Sequence, residues 1–147
     1  GKFPEFDEDT IENLALGSLT ISEIPSIYSN SLLAIGNYIF TQYKDSATAF
    51  EFYQKAKEVD PNYYKVYEVL GVYYSDKKDC KKTEENLNKA IEIYPFDRIA
   101  YYLLYYNYKN CSNDPSSAQK VIKKYEALYG VNNFIKDLQA GLKNQNK

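Results

Sequence analysis

The side chains best suited to chemistry in this chain are two cysteines, Cys80 and Cys111, and a scatter of carboxylates and lysines; histidine is absent altogether. Without histidine no Ser-His-Asp or Cys-His nucleophile pair can be assembled, and no His-containing zinc site. Two thiols cannot close a four-thiolate metal site, and neither has a second cysteine at CxxC spacing to activate it. No glycine-rich phosphate loop is present. The acidic run Asp7-Glu8-Asp9 lacks the alternating ligands and the glycine of a calcium loop. The expectation is therefore a chain with no catalytic residue, no metal and no cofactor, hence not an enzyme. Two cysteines permit a disulfide without requiring one.

Charge narrows the partners. The 147 residues carry 18 basic and 20 acidic side chains, a net charge of −2, with Arg98 the one arginine. One domain can bury a sizeable core at this length. Lys77, Lys78, Lys81 and Lys82 form one basic cluster and Lys120, Lys123 and Lys124 another. Asp76, Asp79, Glu84 and Glu85 interrupt the first, and a surface that tracks phosphates needs a larger excess. Nucleic acid is disfavoured, and the lysines read as solvated turn and outer-helix residues. No apolar run reaches the ~18 residues of a membrane span. The chain opens on Gly1 rather than Met, so a signal or anchor could have preceded it. The compartment stays open between cytoplasm and export or tethering. Residues 1–30 are acidic, and Phe3-Pro4-Glu5-Phe6-Asp7-Glu8-Asp9 reads as an extended arm, either a solvated tail or one anchored by Phe3 and Phe6 on the basic remainder.

The elements that position these residues follow from an internal repeat. Pro61 and Pro95 stand 34 residues apart in matching segments, Val59-Asp60-Pro61-Asn62-Tyr63 and Ile93-Tyr94-Pro95-Phe96-Asp97. Between them Tyr67, Leu70 and Tyr74, then Leu87, Ala90, Ile91 and Tyr94, recur at helical spacing and predict two amphipathic helices. Gly71 and Ala90 are small where such helices would cross closely. Ser75-Asp76-Lys77-Lys78-Asp79 is the turn, Pro95 ends the second helix, and Asp97 caps the next. Upstream, Leu32, Ile35, Gly36 and Ile39 lead to Ala49, Tyr53 and Ala56. Gly36 to Ala49 is 13 residues against 12 from Gly71 to Thr83, which predicts a longer turn. Downstream, Tyr101, Leu104, Tyr105 and Tyr108 lead to a helix start at Asp114-Pro115, with Ala118 again one residue late. Tyr105 in place of a small residue predicts looser packing of this third pair. Gly130 caps its second helix. Phe134, Ile135, Leu138 and Leu142 mark a last helix from about Asn132 to Asn144. Ile11, Leu14, Ala15 and Leu16 suggest a short helix near the N-terminus, and Ser22-x-x-Pro25 begins the approach to the first repeat.

The set Tyr67, Leu70-Gly71, Tyr74, Thr83, Leu87, Ala90 and Pro95 resembles a tetratricopeptide repeat. The resemblance implies an all-α, right-handed α-solenoid of three helix-turn-helix repeats: an arm at 1–29, repeats over 30–129 (about 30–62, 63–96 and 97–129), and a capping helix over 130–147. It also implies a concave groove lined by the first helix of each pair, where such proteins hold a polypeptide. Projected from the register, the groove residues are Asn30, Leu33, Asn37, Lys65, Glu68, Val72, Tyr102, Tyr106 and Lys109. The tyrosines strengthen this: Tyr101, Leu104 and Tyr108 fill the core stripe, which leaves Tyr102 and Tyr106 pointing elsewhere with rigid rings and hydroxyls to offer. The two-carboxylate clamp by which some family members hold chaperone tails matches Leu33, Asn37, Val69, Ile99 and Leu103 here; only Asn37 fits, so a partner of that kind is disfavoured.

The expected function is a non-catalytic interaction scaffold or adaptor for another protein or peptide segment. The alternatives are a regulatory or targeting module of a larger enzyme or assembly, and a self-association domain. Cys80 falls at the start of one second helix and Cys111 in the following repeat's extended turn. Stacked layers put such points ~10 Å apart, too far for a bridge unless that turn folds back.

Overall fold

The structure, a computed structural model, describes residues 24–145; the acidic arm, Phe3, Phe6 and the expected helix around Leu14 lie outside them. Among the described residues all regular secondary structure is helical: α1 (Ile24–Tyr38), α2 (Ser46–Val59), α3 (Tyr64–Asp76), α4 (Cys80–Ile93), α5 (Arg98–Tyr106), α6 (Pro115–Tyr129) and α7 (Asn133–Gln145). Two π-helical turns, Ile39–Tyr43 and Asn107–Cys111, prolong α1 and α5. The described residues divide into two compact units that part between Val66 and Tyr67. α1 begins at Ile24, inside the segment assigned by sequence to the arm.

In the first unit, α1 and α2 pack where Gly36 is smallest. A Cβ there would lie 2.6 Å from Tyr53 Cε1 and 3.2 Å from the Ala49 carbonyl oxygen. The buried Ser29 hydroxyl donates to the Ala56 carbonyl oxygen at 2.9 Å, and the Tyr53 hydroxyl to Asn37 Oδ1 at 2.8 Å. Leu32, Leu33, Ile39, Ala49, Tyr53 and Ala56 are buried.

The second unit holds two helix pairs that close differently. In α3–α4, a Cβ on Gly71 would come within 2.6 Å of Leu87 Cδ2. In α5–α6, Tyr105 and Tyr125 occupy positions 34 and 35 residues beyond Gly71 and Ala90. The structure answers the expected loosening with rings: Tyr105 packs edge-on against Phe134 of α7, centroids 5.1 Å apart.

All three helix pairs turn alike. Lys44, Lys78 and Asn113 each take a left-handed conformation, with φ of 57°, 58° and 53°. The aspartate that follows, Asp45, Asp79 or Asp114, caps the next helix by accepting from the backbone N–H three residues on. A side-chain oxygen there satisfies a donor that the first helical turn cannot. The extra residue in the first and third pairs does not lengthen the loop. It is taken up in the π turns, whose i→i+5 bonding accommodates one more residue per turn.

Candidate interaction surface

Of the nine residues projected onto a groove, Leu33 is 3% exposed and belongs to the core. α1 buries both Leu32 and Leu33, so its apolar arc is wider than a single stripe and the projection failed there. Asn30 and Asn37 are exposed, and their Oδ1 atoms accept from Tyr63 and Tyr53 at 3.2 and 2.8 Å. Lys65, half-buried, lies over the Tyr64 ring at 5.6 Å.

In the second unit Glu68 is half-buried. Val72 and Tyr106, 45% and 37% exposed, occupy equivalent points of α3 and α5, 34 residues apart. Lys109, exposed, lies 5.7 Å from the Tyr105 centroid.

Tyr102 turns inward. Its ring packs 5.6 Å from both Tyr125 and Phe134. The fully buried Tyr125 hydroxyl donates its one proton to Asp137 Oδ2 at 2.7 Å, so the 2.9 Å contact between Tyr102 and Tyr125 must be donated by Tyr102. Arg98 completes the network: its guanidinium stands 3.5 Å from Asp137 Oδ2 and stacks 4.0 Å over the Tyr129 ring. Burial, then the contacts to Tyr102 and Asp137, push the Tyr125 hydroxyl far above the usual tyrosine value. The spacing within α5 does not show this placement of Tyr102, because Phe134 and Asp137 arrive from α7, outside the helix pair. The surplus of rings is thus partly a second core beneath the last helix.

Cys80 and Cys111 form a disulfide, with Cα atoms 5.6 Å apart. Two contacts draw the π turn onto α4: Asn107 Nδ2 donates to the Cys80 carbonyl oxygen at 3.0 Å, and the Tyr108 hydroxyl to Glu84 Oε1 at 2.7 Å. Burial, together with that carboxylate, pushes the Tyr108 hydroxyl up to about 12. The ~10 Å spacing of stacked layers does not apply here, because Cys111 ends a π turn instead of lying in an open loop.

A depression of about 100 Å³ lies between α4, α5 and α6, with Leu104 and Val121 in its floor and Asn88, Ser117, Lys120 and Lys124 around it. Lys120 and Lys124 are exposed on the outer helix, as their sequence pattern predicts, and flank the buried Val121. Among the described residues no three His, Cys, Asp or Glu side chains are placed to hold a metal ion. No described helix is long and apolar enough to cross a membrane. Compared with known proteins, the chain matches no family model and no curated sequence.

Proposed function

We propose that the three helix pairs are tetratricopeptide-type repeats of a solenoid protein, and that the chain is a non-catalytic module that binds a polypeptide partner. The observation that carries the repeat reading is the recurrence, in all three turns, of a left-handed residue followed by a capping aspartate. Close crossings at Gly36 and Gly71, where an added Cβ would meet Tyr53 and Leu87 at 2.6 Å, add to it. For binding, the support is narrower: an exposed apolar or aromatic side chain recurs at one position of α3 and α5, as Val72 and Tyr106. Apolar side chains held out on rigid helices are what a partner's side chains dock against.

The test is capture from the native extract by wild type and by a Val72→Asp/Tyr106→Asp variant with unchanged helical circular dichroism. One partner held by wild type and lost by the variant supports the reading. Equal capture by both removes these residues from it, and a mass that rises with concentration favours self-association. The disulfide fits a protein that works in oxidising surroundings, where such bonds persist. Counting thiols on protein isolated without reductant checks that point.

A further inference from the structure

We infer that the depression between α4, α5 and α6 is a recognition site for an acidic residue and its aliphatic neighbour on a partner polypeptide. The inference rests on the polypeptide-binding reading but uses a surface separate from Val72 and Tyr106, so each can fail alone.

Leu104 and Val121, 3% and 4% exposed, share the apolar lining with Ile91 and the rings of Tyr101 and Tyr108, and the volume of about 100 Å³ is on the scale of one branched side chain. The rim has the opposite chemistry. Lys120 and Lys124 stand one turn apart on α6, both exposed, so two like charges share one edge. No carboxylate among the described residues lies within 4.0 Å of either ammonium. The acids nearby are otherwise engaged: Glu84 accepts from Tyr108, and Asp114, which interacts with Lys120 at longer range, accepts from the Ser117 N–H as a helix cap. The Asn88 side chain already bonds the Tyr108 hydroxyl and the Ser117 side chain bonds Asp114, so each offers a peptide backbone only its remaining hydrogen-bonding capacity.

An apolar floor beneath a doubly cationic rim selects a ligand with an aliphatic part and an anion a few ångströms apart. An acidic residue beside Ile, Leu or Val meets that description. A phosphate backbone does not, because it offers nothing to the floor and calls for a longer track of cations.

The probe is acetyl-Ile-Glu-amide titrated into the purified full chain, followed by amide NMR shifts. Shifts confined to Val121, Leu104, Asn88 and the lysine-bearing turn are expected, with millimolar affinity for so small a ligand. Acetyl-Ile-Gln-amide should bind about fivefold more weakly, and so should the acidic peptide to a Lys120→Ala/Lys124→Ala variant. Both substituted residues are exposed, so the variant should keep its melting temperature; Lys124→Glu is a second variant with the same expected loss. Equal binding of the Glu and Gln peptides, shifts elsewhere, or no binding would overturn the inference. So would inorganic phosphate that binds as well as the peptide, since the floor would then contribute nothing. Any of these leaves the capture experiment at Val72 and Tyr106 standing.

Discussion

In α3–α4 two helices approach closely because Gly71 has no side chain, and the space is filled by Leu87, which is fully buried. In α5–α6 the matching positions carry Tyr105 and Tyr125, and volume replaces closeness. The two rings turn toward α7, where Phe134 packs 5.1 and 5.2 Å from them. A disulfide and the Tyr108–Glu84 hydrogen bond then tie the third pair to α4. The two helix pairs are thus closed in different ways. The first depends on a missing side chain, and the second on a further helix and on bonds outside the pair.

The comparison breaks most sharply at Tyr125. Its ring touches Tyr101, Tyr102, Tyr129 and Phe134. Tyr125→Ala should cost about 3–5 kcal/mol, the range for deleting a buried aromatic. Tyr125→Phe keeps the ring and should cost about 1–3 kcal/mol, the value of a hydrogen bond to a charged acceptor. Urea unfolding of both variants, followed by helical circular dichroism, separates ring from hydroxyl. Equal losses would mean that the polar network, not the packed ring, holds α7 down.

Next in size is the bridge. Cys80 and Cys111 close a loop with a sequence separation of 31, for which the chain-entropy account gives about 3–4 kcal/mol. Cys80→Ser/Cys111→Ser, or wild type under reductant, should lower the urea midpoint accordingly. Amide exchange should quicken around Asn107 to Asn113, while Gly71 and Leu87 keep their protection. Loss of protection throughout the second unit would show that the pair closed by glycine also depends on the bridge.

The glycines sharpen the other side of the comparison. Gly71→Ala gains helix propensity, yet its Cβ meets a Leu87 with nowhere to move. A net loss of roughly 1–2 kcal/mol is expected, overpacking minus propensity. Gly141 in α7 has nothing within 4 Å of an added Cβ. Gly141→Ala should therefore stabilise, by about 0.5–1 kcal/mol. Thermal melts of the two variants should move in opposite directions. A Gly71→Ala protein as stable as wild type would contradict the close crossing.

What could be read from sequence alone follows the same division. Gly71, Leu87 and Asp97 announce themselves because their roles are local, set by spacing within one helix pair and by capping chemistry. Tyr102 and Leu33 were misplaced because burial depends on what a neighbouring element covers, and a single helix's periodicity does not contain that. The π turns were legible only as a one-residue excess. Counting cannot say whether an extra residue widens a helical turn or lengthens a loop, and the position of Cys111 depended on that choice. The lysines beside Val121 needed the floor beneath them to become more than charge.

The pH dependence rests on Tyr108, whose hydroxyl joins the third pair to α4 through Glu84. Burial and that carboxylate raise its hydroxyl from 10.0 to about 12. The native state therefore holds this proton across a range in which the unfolded chain releases it. Stability from the group is complete below pH 10.0 and is lost as pH rises through about 12. The measurement is the stability difference between wild type and Tyr108→Phe, followed from neutral pH upward so that the lysines and other tyrosines cancel. That difference should be constant up to about pH 10 and shrink beyond it. In parallel, the near-ultraviolet phenolate band should show one fewer late-ionising tyrosine in the variant. A difference flat through pH 12 would place Tyr108 in solvent and leave the disulfide and Asn107 as the ties between α4 and the third pair.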